Sequence, residues 1–360
     1  RPADPCVASY LLVSKAIYDH YANKRSIANQ YDGMKKWTDF LYRQSRNGIL
    51  EYSYWGDWAG PKEFTTRQMC DAISSVTPGE LISTGYLYYD LKLMQGFAEI
   101  LEKKEDAADF SARAELIKEA FIKEFFNEEL GYVGTNSQGC NAFALYMGLV
   151  PAGREQDVAR HLAEDVKARG YHLTTGNLCT KYLPEMLTEY GYVDTAYKLL
   201  TQTTEPSWGY MIKMGATTIW ERWEYATSWG MNSHNHPMYA SVSAWFYKYL
   251  AGISAVEPGF KKIKIRPYMP DSLNKAEGEI NTPYGAVSSG WEKDESGYIL
   301  RVRVPASCEA EIILPGGAKM RVEESGGALK QAEGIIYSEA QGEELHVKVK
   351  SGEYVFTARR

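Results

Sequence analysis

Tyr239-Ala240-Ser241-Val242-Ser243-Ala244-Trp245-Phe246-Tyr247-Lys248-Tyr249-Leu250, followed by Ala251-Gly252-Ile253, is where this chain changes its period. Before it, apolar residues recur at helical spacing, as in Tyr10, Val13, Ile17, Tyr21 and again in Ile27, Tyr31, Met34, Trp37, Leu41. After Gly252 the spacing is two. Ile263 and Ile265, Leu300, Val302 and Val304, and Leu345, Val347 and Val349 alternate with polar neighbours, as strands half-buried in a sheet do. The pattern predicts helices near 84–103, 109–126, 141–149, 156–169, 179–190, 193–201 and 239–250. Gly48, Gly131, Pro151-Ala152-Gly153, Gly170 and Gly191 stand at the joints. Turns at Pro270-Asp271, Ser296-Gly297, Pro315-Gly316-Gly317 and Ser351-Gly352 separate the strands. The expected architecture is α+β and multidomain. A helical α/α array spans 1–252 and an antiparallel β-sandwich spans 253–360.

The bulk numbers exclude some functions. With 40 Lys and Arg against 46 Asp and Glu the net charge is −6, and no basic block exists to neutralise phosphates, so nucleic acid is not an expected partner. No apolar run reaches the length of a membrane span, so no membrane partner is expected. Five widely spaced cysteines, odd in number and without a CxxC pair, argue against structural zinc and a disulfide framework. Free thiols fit a reducing compartment, and the expected location is cytoplasmic, with a periplasmic or secreted one left open. Aromatic content is 13%, with 27 tyrosines.

Two long loops, 47–83 and 203–237, are where function is expected. Five of the nine tryptophans fall between Trp208 and Trp245. Within that span Trp220-Glu221-Arg222-Trp223-Glu224 precedes Asn232-Ser233-His234-Asn235-His236. Indole faces beside carboxylates suit a sugar: the ring stacks, and the acids act at the anomeric carbon. On chemistry alone Glu221 is a base or an acid paired with Arg222. Glu224 is a second choice of base, sharing a face with Glu221 if the stretch is helical. His236 binds a hydroxyl or is a satisfied buried histidine, and His234 points elsewhere. Asp57 makes local backbone bonds or binds sugar. Trp55, Trp58, Trp220 and Trp223 are cleft walls or core. Thr175 reads as an N-cap.

The chain resembles the bacterial α-L-rhamnosidases of glycoside hydrolase family 78. The likeness covers nearly all of it. It is carried by Trp55-Gly56-Asp57-Trp58, His172-Leu173-Thr174-Thr175-Gly176-Asn177, Pro206-Ser207-Trp208-Gly209-Tyr210-Met211-Ile212, Gly215-Ala216-Thr217-Thr218-Ile219-Trp220-Glu221-Arg222-Trp223, Met231-Asn232-Ser233-His234-Asn235-His236 and Leu250-Ala251-Gly252-Ile253. This resemblance implies an (α/α)6 barrel followed by a β-sandwich, acting on a rhamnose-containing glycoside with inversion. Inversion needs one protonated carboxyl and one carboxylate that activates water, about 6.5–9.5 Å apart. It implies Glu221 as base, His236 as a sugar contact, and Trp58 stacked on the ring. Asp57, Trp220, Trp223 and Glu224 join the expected substrate-binding set. No metal or organic cofactor is implied.

Two departures qualify that likeness. The family's acidic loop, Asp-Cys-Pro-x-Arg-x-Glu-Arg, has no counterpart in this sequence, so the general acid is expected in a missing upstream segment. A family tryptophan near Asp4-Pro5-Cys6-Val7-Ala8 is replaced by Val7 or a neighbour. About nine helices are counted where a closed barrel needs twelve. An incomplete barrel would expose an apolar helix face, and so invite a homo-oligomer or docking of the missing segment. The alternative function is a non-catalytic carbohydrate-binding or assembly module derived from a rhamnosidase.

Overall fold

Three helices with few charged side chains form the inner layer of the helical part. In the computed structural model, which describes residues 5–51, 56–66, 72–227 and 232–360 (side chains from residue 8), these are α3 (Gly79–Ile100), α5 (Gln138–Met147) and α7 (Tyr182–Glu189). Each is buried on nearly every face, as an apolar helix must be. Each is followed by a partner buried along one stripe: α4 (Lys104–Phe125), α6 (Glu155–Ala168) and α8 (Val193–Leu200). Short turns join each pair, so the sequence of inner and outer helices is a run of α/α hairpins. Gly85 allows the inner layer to close: a Cβ there would lie 2.2 Å from the Phe143 ring of α5.

α1 (Pro5–Tyr21) and α2 (Lys24–Gln44) precede these hairpins. α2 packs on α4, with the Tyr31 hydroxyl donating to Asp106 at 2.7 Å and Arg113 donating to Asp39 at 2.7 Å. The expected face of α1 is corrected. Ala8, Leu11 and Ser14 are buried, whereas Tyr10, Val13 and Tyr21 are exposed. A two-stranded hairpin, β1 (Phe126–Asn127) with β2 (Tyr132–Val133), leads from α4 to α5. A short helix, α9 (Trp208–Lys213), stands inside the expected loop 203–237, capped by the Ser207 hydroxyl.

The expected final helix is three short pieces: a 3-10 turn (Met238–Ser241), α10 (Val242–Trp245) and a π turn (Phe246–Leu250). By contacts the chain divides at Val242/Ser243, with Lys15–Ser26 joining the second unit. Packing explains that position. The Trp291 indole donates to the Leu250 carbonyl at 2.7 Å, and the Tyr268 N–H donates to the Tyr249 carbonyl at 2.8 Å.

The second unit is built from β3 (Ile253–Ala255), β4 (Lys262–Ile265), β5 (Lys275–Thr282), β6 (Gly285–Asp294), β7 (Gly297–Val304), β8 (Glu309–Leu314), β9 (Arg321–Glu324), β10 (Gly327–Ala328), β11 (Ile335–Gln341), β12 (Glu344–Val349) and β13 (Gly352–Arg359). They form a six-stranded sheet in the order β10-β9-β13-β7-β6-β5 and a five-stranded sheet in the order β11-β12-β8-β4-β3. Pairing is antiparallel except for β4 with β8. Ile263, Ile265, Leu300, Val302, Val304, Val347 and Val349, the alternating residues of the sequence, all fall in the shared core. A helical domain followed by a largely antiparallel sheet domain is thus the observed architecture.

Candidate active site

The loops that enter the inner helices gather at one end of the first unit. Residues 56–66 and 72–78 lead into α3, 134–137 into α5 and 169–181 into α7. Asp57 ties two of these loops together. Its carboxylate accepts from the backbone N–H groups of Gly176 (2.9 Å), Leu178 (3.2 Å) and Cys179 (3.0 Å). Burial pushes its carboxyl above the usual range, and those three N–H groups pull it partly back. Only 1% of Asp57 is exposed, and it caps the turn that opens α7, so of its two expected roles the local backbone bonds are the one observed. The cap expected from Thr175 is replaced by this one. The Thr175 hydroxyl instead meets that of Thr180 at 2.7 Å. Gly176 is obligatory here, because a Cβ would stand 2.1 Å from the Trp58 carbonyl oxygen.

Glu221 is set by a short backbone pairing. The Glu221 N–H donates to Ser233 O and the His236 N–H donates to Ile219 O, each at 2.8 Å. The Thr218 hydroxyl bonds the His234 carbonyl. In return the Ser233 N–H donates to Glu221 Oε2 at 2.9 Å. The other oxygen, Oε1, lies 3.9 Å from His236 Nε2. That gap is too long for a direct hydrogen bond, and short enough for one water or sugar hydroxyl to bridge. Glu221 is buried, while the His236 side chain is 25% exposed, so the gap opens toward solvent on the imidazole side.

The neighbouring aromatics are pillars. Trp223 is fully buried, stacked on Tyr239 at 4.0 Å and edge-on to Trp208 at 5.0 Å. Its indole N–H donates to Thr175 O at 3.0 Å, and the Tyr239 hydroxyl donates to Ala59 O at 2.7 Å. Trp220 is buried against the His234 ring at 4.8 Å. His234 in turn bonds the Ala226 carbonyl through Nε2 at 2.8 Å. Trp220 and Trp223 are thus packed as buried supports, the core alternative of the two expected readings. Trp58 is only partly buried, and its carbonyl accepts from the Asn177 N–H at 2.7 Å. Trp55 and Met231 lie outside the described residues, as does the side chain of Val7.

The alternative in which Glu221 pairs with Arg222 is not what the structure shows. Residues 219–224 are not helical, and Arg222 Nε donates to Glu224 Oε1 at 2.5 Å. Lys62 Nζ stands 3.7 Å from the same oxygen. Glu224 is thus held beside Glu221 by Arg222, with Lys62 near the same oxygen. Its Oε2 is buried without a hydrogen-bond partner among the described residues. Sequence reasoning missed Lys62, the Ser233 N–H and Asn177. The Asn177 side chain is buried, with neither amide atom bonded among the described residues. Only its place after Gly176 marked it beforehand. Among the described residues no three His, Cys, Asp or Glu side chains gather as a metal-ligand set.

This fold and this site define a class. The family model described as the bacterial alpha-L-rhamnosidase 6 hairpin glycosidase domain matches residues 7–250, and the one described as the bacterial alpha-L-rhamnosidase C-terminal domain matches 252–329. The chain belongs to the bacterial α-L-rhamnosidase family. A relative named alpha-L-rhamnosidase from Formosa agariphila is 32% identical over 349 residues, covering 95% of this chain and 37% of that protein. The solved alpha-L-rhamnosidase from Dictyoglumus thermophilum is 36% identical with a TM-score of 0.90, over 98% of this chain and 39% of that one. The Streptomyces avermitilis alpha-L-rhamnosidase, solved in complex with L-rhamnose, is 29% identical with a TM-score of 0.85, over 97% of this chain and 32% of that one. The chain thus spans well under half the length of these relatives.

Proposed function

We propose that this chain carries the water-activating side of an inverting α-L-rhamnoside hydrolysis, with Glu221 as general base. The observation that carries this reading is the carboxylate itself. One oxygen is locked by the Ser233 N–H, and the other is aimed across a bridgeable gap to His236. A base must be ionised and within one hydrogen bond of its water. His236 then orients that water or a hydroxyl of the sugar. Trp58, the partly exposed tryptophan of the loop that Asp57 anchors, covers the ring. The relatives named as α-L-rhamnosidases support rhamnose as the sugar. The proton donor is assigned to none of the residues described here: Asp57 is committed to backbone N–H groups and Glu224 to Arg222.

The test is release of the phenol from an activated aryl α-L-rhamnoside by the chain and by Glu221→Gln. An activated leaving group needs little acid help, so the base alone should give turnover. Glu221→Gln should lower it about 10²–10⁴-fold. Proton NMR of the first-formed sugar should show the inverted anomer. Turnover that survives Glu221→Gln unchanged would remove Glu221 as base. Rhamnose binding without turnover would favour the carbohydrate-binding module instead.

A further inference from the structure

The outer face of the six-stranded sheet carries a trough of about 730 Å³, within the roughly 300–1,000 Å³ typical of ligand sites. β5, β6 and β7 form it, all within the second unit. Its origin is one missing side chain. Val287 and Trp291 of β6 point into the core, so Ser288, Gly290 and Glu292 face outward, and on β5 the outward row is Lys275, Glu277 and Glu279. Gly290 stands between Glu277 on one neighbouring strand and Arg301 of β7 on the other. The two charged residues therefore flank bare backbone across two strand spacings, roughly 9–10 Å. A Cβ at Gly290 would lie 3.2 Å from that of Glu277 and narrow the trough at its centre.

Neighbouring charges on the same sheet are paired. Arg303 donates to Glu353 at 3.0 Å and lies 3.8 Å from Glu279, and Arg359 donates to Asp294 at 2.9 Å. In the trough, the side chains of Lys275, Glu277, Glu292 and Arg301 make no ion pair or hydrogen bond among the described residues, although Lys275 and Glu292 stand directly opposite in register. Two unpaired cations and two unpaired anions sum to zero. A ligand of either sign would be attracted by one pair and repelled by the other. Hydroxyls meet both, because they donate to carboxylates and accept from guanidinium and ammonium groups. Neighbouring hydroxyls on a ring also suit the fork of an arginine. From Lys275 to Glu279 the lining runs four residue steps, about 14 Å, which is longer than one sugar ring. We propose that this face of the β-sheet unit binds a neutral oligosaccharide or polysaccharide chain. The site is built by the second unit alone and does not depend on the reading of Glu221.

The experiment is affinity electrophoresis of the chain in gels containing galactan, xylan, galactomannan or mixed-linkage β-glucan, with polygalacturonate as the acidic comparison. At least one neutral polymer should retard the chain, and should retard Glu221→Gln equally. Arg301→Ala, and independently Ser288→Trp, which fills the floor of the trough from its outer face, should each weaken that binding at least about tenfold, the loss expected for one hydrogen bond to a charged group. Thermal unfolding of both variants should match the wild type, since neither residue points into the core. No retardation by any neutral polymer, or retardation that both variants keep, overturns the site. Retardation by polygalacturonate alone overturns the choice of a neutral chain. Binding lost in Glu221→Gln but kept in Arg301→Ala would move the polymer to the Glu221 site and overturn the trough.

Discussion

Asp57 offers the sharpest division between a residue that touches sugar and one that builds the place where sugar goes. Asp57→Ala would leave three N–H groups, those of the buried Gly176 and Cys179 and the part-buried Leu178, without an acceptor. Each such orphan costs about 1–3 kcal/mol, or about 3–9 kcal/mol together. Removing a buried carboxylate and admitting water offset part of this. A net loss at the bottom of that range, about 3 kcal/mol, is expected. Asp57→Asn keeps one acceptor oxygen, which can still serve Leu178 and Cys179, and sets an NH2 against the Gly176 N–H. Its cost should be about 1–3 kcal/mol. For a domain of this size each kcal/mol lowers Tm by about 2–4 °C, so the alanine variant should melt about 6–12 °C lower, with asparagine in between. Thermal unfolding followed by circular dichroism reads this directly, and rhamnose titration below the transition reads the site. If all three proteins melted together while the variants lost rhamnose binding, the carboxylate would be facing the sugar and the capping role would be wrong.

Other outcomes follow from the same geometry. Gly176→Ala forces a methyl to 2.1 Å from the Trp58 carbonyl and should destabilise by at least about 1–3 kcal/mol, measured by denaturant midpoint. Trp223→Phe keeps the stack on Tyr239 but orphans the Thr175 carbonyl; it should cost about 1–3 kcal/mol and weaken turnover through the position of Glu221. Asp90, buried in α3 with Oδ1 unpartnered, has its carboxyl raised well above the usual range by burial. Its folded state therefore holds the proton more tightly than the unfolded chain, and stability falls as pH rises from the unfolded value of about 3.9 through the higher folded one. Asp90→Asn should gain on the wild type across that rise, and parallel pH–stability curves for the two proteins would contradict it.

Much of the architecture was legible because burial writes its period into the chain. The switch at Gly252 separated helix from strand, and the low charge of α3 and α5 against α4 and α6 reflects two layers with different neighbours. What stayed hidden was short or long-range. α9 has six residues, too few to show a period. β5 reads Lys275-Ala276-Glu277-Gly278-Glu279-Ile280, an edge strand whose alternation is carried by small residues. The bond from Asp57 to Cys179 joins residues 122 apart, and nothing local announces it.

The tryptophans mislead for a different reason: an indole that stacks on sugar and one that props a loop are the same residue. Here the props dominate. Trp223 is clamped between Trp208 and Tyr239 and bonded to Thr175, while Trp220 rests on His234, which belongs to the segment paired with Glu221. These contacts fix the register in which 218–221 meets 233–236. That register decides where both carboxylate oxygens of Glu221 point. A base displaced by 1 Å loses much of its advantage, so rigid aromatic packing around it has a catalytic consequence without any contact to substrate. If Glu221 is the base proposed above, the density of aromatics in the motif is explained by the precision its position requires.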